Sequence, residues 1–241
     1  MLQLVPLVLS LASAAAVGAL VRRRGAAPVT LRLLLAALLL GSEAVALLFP
    51  VATGTWSPAT ALPLQLSDAA TVLLVVALVR SSCSYWTRLG YLWGVAAGLL
   101  GLAFPAIGAV SPSPLYFSFY VQHGAMLVAA VALAASGSLY LDLGSVLRAW
   151  AATGGLAALA AVADLATGGD YMFLRQPPGT WSPLLLMGSW PWYVLAAAVL
   201  CPIVLLLEAA PLARRRPPGM RWTRHIVPAR SPYRSTGLPP P

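Results

Sequence analysis

The sequence contains no lysine, two cysteines, two histidines and six acidic residues among 241, and charged residues make up only 9% of it. Each scarcity excludes something. Soluble domains carry roughly 25% charged residues, so this chain is not one. Cys83 lies in a basic loop and Cys201 inside an apolar run, which gives no disulfide framework. No spacing of His, Cys, Asp or Glu resembles a metal site, and no glycine pattern resembles a phosphate loop, so no cofactor or metal is expected. All fifteen basic residues are arginine. With abundant Ala, Gly and Pro, that bias points to a GC-rich, bacterial genome and carries no mechanism.

What the chain has is apolar length. Hydrophobic residues make up 60% of it, and windows of about 20 such residues cross a bilayer core of about 30 Å as helices. Seven spans are expected: 1–21, 29–50, 62–80, 89–109, 115–137, 148–167 and 184–209. The expected fold is an all-α membrane protein, a bundle of about seven transmembrane helices over residues 1–210 in the plasma membrane. Residues 211–241, rich in Arg and Pro, read as a disordered cytoplasmic tail. His225 in this tail receives no role. No internal repeat is evident.

The net charge of +9 is therefore a topology signal, and nucleic acid is not an expected partner. If Arg22, Arg23 and Arg24 face the cytoplasm, fourteen of the fifteen arginines fall on that side and only Arg175 lies outside. The N-terminus is then outside and the C-terminus cytoplasmic. The first span reads as a retained helix, because its basic residues follow the apolar run instead of preceding it.

Polar residues inside such spans cost free energy unless they have a partner or a task. The motif LPLQLSD (62–68) opens span three with Gln65, Ser67 and Asp68. At about 1.5 Å per helical residue, Ser67 lies about 8 Å below the outer end of its span and His123 about 12 Å. Glu43 and Asp164 lie about 10 Å and 5 Å down theirs. Four spans thus place polar groups in the outer half of the membrane. A serine hydroxyl needs a base to become a nucleophile, and a neutral imidazole supplies one. Ser67 and His123 form that candidate pair, with Asp68, Glu43 or Asp164 available to orient the ring. Hydrogen bonds between helices would satisfy the same residues without chemistry. Glu208, at the inner end of the last span, reads as a carboxylate snorkelling to the headgroups. Asp142 reads as a solvated charge and Cys201 as packing.

The elements LPLQLSD, YLWG (91–94), QHG (122–124), DYMFLRQPP (170–178) and GSWPWY (188–193) occur in an order that resembles the YwaF and transmembrane protein 164 family, from about Leu62 to Leu207. The resemblance implies a phospholipid acyltransferase whose catalytic cysteine and histidine match Ser67 and His123. Ser67 replaces the cysteine, and Asp170 replaces an asparagine before YMFL. The partners so implied are membrane lipids, a phospholipid donor and a lysophospholipid acceptor. With water as acceptor the protein would be a lipid hydrolase. A non-catalytic lipid-binding or small-solute transport protein is the alternative. Arg175, the one outer basic residue, is expected either to meet a lipid phosphate or to bridge to Asp170 or Asp164. Asp170, Tyr171 and Trp192 are expected beside it at the headgroup level, within an aromatic belt.

Overall fold

A computed structural model describes residues 4–80, 84–108 and 111–213. The elements are α1 (Leu4–Arg24), α2 (Val29–Ala52), α3 (Leu66–Arg80), α4 (Tyr85–Ala103), α5 (Pro114–Ala135), α6 (Leu143–Thr167) and α7 (Trp192–Ala213). Short 3-10 turns occupy Tyr171–Phe173 and Pro183–Leu186 between α6 and α7. There is no strand among the described residues. The seven helices answer the seven expected spans, and α1, α2, α5, α6 and α7 are each long and apolar enough to cross a membrane. Cys83, His225 and the tail beyond Ala213 lie outside the described residues.

Several boundaries differ from expectation for local reasons. Span three does not begin at Leu62. Pro63 interrupts the run, and the Asp68 carboxylate folds back to accept the Gln65 N–H through Oδ2 at 2.8 Å. That is half of a capping box, and it starts the helix at Leu66. With 15 residues α3 is about 22 Å long, shorter than the bilayer core. Ser67 consequently stands in the first turn of its helix, not well below its end. Span seven begins at Trp192 and not at 184, because Pro183 opens only a 3-10 turn and Gly188 takes φ +96° before the helix can form. Spans four and six start earlier than expected, behind the caps Ser84 and Asp142.

Helix α5 occupies the middle of the bundle, touching α1, α2, α3 and α4, while α6 and α7 pair and lean on α4. Between helices in lipid the hydrophobic drive is absent, so close contact through small residues matters more. Gly94 and Gly98 of α4 provide it. A Cβ at Gly94 would sit 2.7 Å from the Leu74 side chain, and one at Gly98 would sit 3.0 Å from the His123 carbonyl oxygen. Leu39, Leu74, Leu92 and Met126 fill the interior they create.

Arginines gather the opposite end. Arg32 donates from Nε to Leu78 O at 2.5 Å and from Nη2 to Val79 O at 2.8 Å. A cation thus covers the orphan carbonyls and negative dipole end of α3. Arg88 lies 4.4 Å over the Tyr140 ring and reaches Ser145 Oγ at 3.4 Å, tying the start of α4 to that of α6.

Two acids behave differently from expectation. Glu208 is partly buried: its Oε2 is enclosed without a hydrogen-bond partner, on a turn of α7 held to α4 by the Tyr91 hydroxyl bond to the Glu208 carbonyl. Asp142 is more than a solvated charge. It caps α6 by accepting from Ser145 N at 2.8 Å and Ser145 Oγ at 2.5 Å, and it lies 3.8 Å from Arg148. Hydrogen bonds from the Ser145 hydroxyl and N–H hold its carboxyl below the ordinary value. A carboxylate whose folded pKa is depressed stabilises above its unfolded value, about 3.9, and that stabilisation is lost as pH falls through the folded value. Hydrogen exchange in the first turn of α6 is therefore expected to accelerate below about pH 4. Asp142→Asn should flatten this profile, and an unchanged acid response in the variant would exclude Asp142 as its source.

Candidate functional site

Two polar layers meet near one end of α3. The deeper layer is built on Gln122. Its Nε2 donates to Glu43 Oε2 at 2.6 Å and to Thr71 Oγ1 at 3.1 Å, so one buried amide joins α2, α3 and α5. Sequence reasoning did not single out Gln122 or Thr71. A signal existed: Thr71 stands four residues after Ser67 and three after Asp68, on the same face of α3.

The upper layer joins the irregular segment before α3 to the one after α6. Tyr171 is the hinge of this contact. Its hydroxyl donates to Pro58 O at 2.7 Å and accepts from Leu62 N at 2.9 Å, while its N–H donates to Asp164 Oδ1 at 2.7 Å. The hydroxyl thus donates one bond and accepts another. Asp164 is fully buried, and its Oδ2 has no partner. Gln65 Oε1 accepts from Met172 N at 2.9 Å, and Tyr193 donates its hydroxyl to Phe173 O at 2.7 Å. Those two bonds hold Met172 and Phe173 at φ +56°, in the left-handed region, where each residue costs about 1–3 kcal/mol. Irregular backbone inside a membrane bundle is tolerated where such bonds satisfy it.

Ser67 is half-buried and donates to Asp68 Oδ1 at 3.4 Å. His123 is buried on α5, stacked on Phe119 with ring centroids 4.0 Å apart. Its Nδ1 lies 2.8 Å from Phe119 O. A carbonyl can only accept, so Nδ1 carries the proton and Nε2 is the basic nitrogen. That edge of the ring is turned toward Gly101 of α4, where a Cβ would fall 2.5 Å from Nε2. Ser67 and His123 share no hydrogen bond. The structure therefore gathers Glu43 with Gln122 and Thr71, and Gln65, Ser67 and Asp68 with the Tyr171 turn, leaving His123 to one side.

Of the residues expected at the headgroups, Trp192 is 64% exposed. Tyr171 is buried, and its hydroxyl is consumed within the protein. Arg175 is exposed and makes neither of the expected ion pairs. Its Nη1 donates to Gly169 O at 3.1 Å, and Asp170 accepts instead from the Arg175 backbone N–H at 2.8 Å. Among the described residues no three His, Cys, Asp or Glu side chains gather in a metal-ligating group.

The family model of the TMEM164 family matches residues 1–208. The chain belongs to the TMEM164 family. The match begins well before Leu62, so α1 and α2, with Glu43, belong to the family unit along with α3 to α7. The chain is thus a multi-pass membrane protein of this family. No curated protein and no solved structure matches it.

Proposed function

We propose that the chain is a phospholipid acyltransferase, with Ser67 as nucleophile and His123 as base in the outer half of the bilayer. The observation that carries this reading is the position of Ser67 as the second residue of α3. N–H groups of a first helical turn have no intrahelical acceptor, and the positive dipole end favours the oxyanion that ester attack creates. The exposed guanidinium of Arg175 supports a phosphate contact at the same rim.

In this reaction Ser67 Oγ attacks an ester carbonyl while His123 Nε2 takes its proton. Collapse breaks the bond to the glycerol oxygen, which leaves with that proton and frees a lysophospholipid. A second lysophospholipid hydroxyl then attacks the acyl-serine, again with proton transfer through the imidazole, and restores Ser67. Water in place of that hydroxyl makes the reaction a hydrolysis. The serine must first turn from Asp68 toward the imidazole. A lipid-binding protein without turnover is the second reading, favoured by the Ser67–Asp68 bond and by the packing of His123 Nε2 against α4.

Lipid mass spectrometry on purified protein in mixed micelles, with a phospholipid donor and a lysophospholipid acceptor, separates the two. Acyl exchange is expected in the native protein and lost at least a hundredfold in Ser67→Ala and His123→Ala. Ser67→Cys should keep or raise it, because a thiol is the stronger nucleophile. Exchange appearing only in Ser67→Cys would mean that the serine form has lost turnover and binds lipid.

A further inference from the structure

Two grooves on the flank of α2 take no part in the polar layers. One, of about 390 Å³, lies between α2 and α5 and is walled by Ala37, Gly41 and Val45 on one side and Pro114, Ser118 and Val121 on the other. The second, of about 300 Å³, shares Val45 and continues past Leu48 to Ala52 at the end of α2. Together they mark a furrow along α2 from Ala37 to Ala52, with α5 as its second wall beside Ala37 to Val45 only; its length is about 22 Å at 1.5 Å per residue. That exceeds one leaflet's share, about 15 Å, of the hydrocarbon core.

We propose that this furrow holds one acyl chain of a glycerophospholipid, with its ester end at Ala52 and its methyl end toward Ala37. The walls are apolar in effect: Ser42 donates its hydroxyl to Leu38 O at 2.7 Å and Ser118 to Leu115 O at 3.0 Å. No free donor remains to hold water or a headgroup inside. The flanking Leu38, Phe117 and Val121 are exposed on membrane-spanning helices, so the medium that reaches the furrow is lipid. The furrow also runs along the α2–α5 seam that carries the deeper polar layer. Ser42 and Val121 line it, and the next residues, Glu43 and Gln122, bond across the same α2–α5 seam. At its outer end α2 gives way to the segment that leads directly to Ser67. The chain it holds is the one transferred, and in this the inference rests on the acyltransferase reading.

Gly41 offers the test, since a Cβ there meets nothing within 4 Å and a large side chain would fill the furrow without displacing protein. Gly155 on α6 is equally open and serves as control. Full-length protein in phosphatidylcholine nanodiscs would carry a trace of phosphatidylcholine with a diazirine near the methyl end of one chain. Crosslinks are expected to concentrate in peptides covering 37–52 and 114–121. They should fall at least fivefold in Gly41→Phe and in Ser118→Leu, and stay unchanged in Gly155→Phe, each variant first checked for an unaltered melting temperature. Labelling spread evenly over the lipid-facing helices, or indifferent to both filling variants, overturns the furrow. Furrow labelling in a protein without turnover supports the furrow and overturns acyl transfer instead. Where turnover is present, the filling variants should shift transfer toward shorter chains.

Discussion

Gly101→Ala is expected to reduce turnover as far as His123→Ala does, although it adds only one methyl group to a different helix. The new Cβ would lie 2.0 Å from Cδ2 and 2.5 Å from Nε2 of the imidazole, far inside contact distance. The ring has no easy retreat. It is stacked on Phe119 and bonded to the Phe119 carbonyl, so accommodating the methyl means breaking both contacts or parting α4 from α5. Overpacking of this kind costs about 1–3 kcal/mol. The thermal midpoint should fall accordingly. Combining Gly101→Ala with His123→Ala should restore most of the stability and none of the activity, giving a coupling of about 1–3 kcal/mol in the cycle. Full turnover in stable Gly101→Ala protein would show that the imidazole does not act from its observed position.

The second large effect is expected at Gln122. Gln122→Leu removes the donor that serves both Glu43 and Thr71 and leaves a carboxyl group inside the bundle without it. Loss of such a bond, with the partner left unsatisfied, costs about 2–3 kcal/mol. Replacing both residues, Glu43→Leu with Gln122→Leu, removes the stranded acid and should recover most of that loss. Equal midpoints for the single and double variants would mean that Glu43 finds another partner. The deeper layer would then not depend on the amide.

The number of helices was legible because each apolar run exceeds what any loop requires. Their ends were less so. LPLQLSD looked like the entry of a span because its leucines continue the hydropathy of the run. The boundary was decided by one side chain, Asp68, reaching back to Gln65. The acids Glu43, Asp68 and Asp164 stood out from the sequence because an acid in lipid is costly wherever it points. Their partners did not, because a hydrogen bond depends on how each helix is rotated. Gln122 and His123 are adjacent in sequence, yet they point about 100° apart on the helix. Nothing in QHG says which faces α2. Tyr171 reads as a rim aromatic by composition, and its burial follows from a loop path that hydropathy does not encode.

The shortness of α3 bears on the lipid as well as on the protein. Val72, Val76 and Val79 on its flank are exposed on the surface of the bundle, so a lipid beside them would meet a helix about 22 Å long where a bilayer core is about 30 Å. Bilayers accommodate such a mismatch by thinning locally, at fractions of a kcal/mol per Å. Thinning of that kind would draw the neighbouring leaflet inward along this flank and lower its ester carbonyls toward the first turn of α3. On the proposed acyl-transfer reading, such thinning would bring ester carbonyls toward the depth of Ser67, and turnover would fall in a thicker, more ordered bilayer.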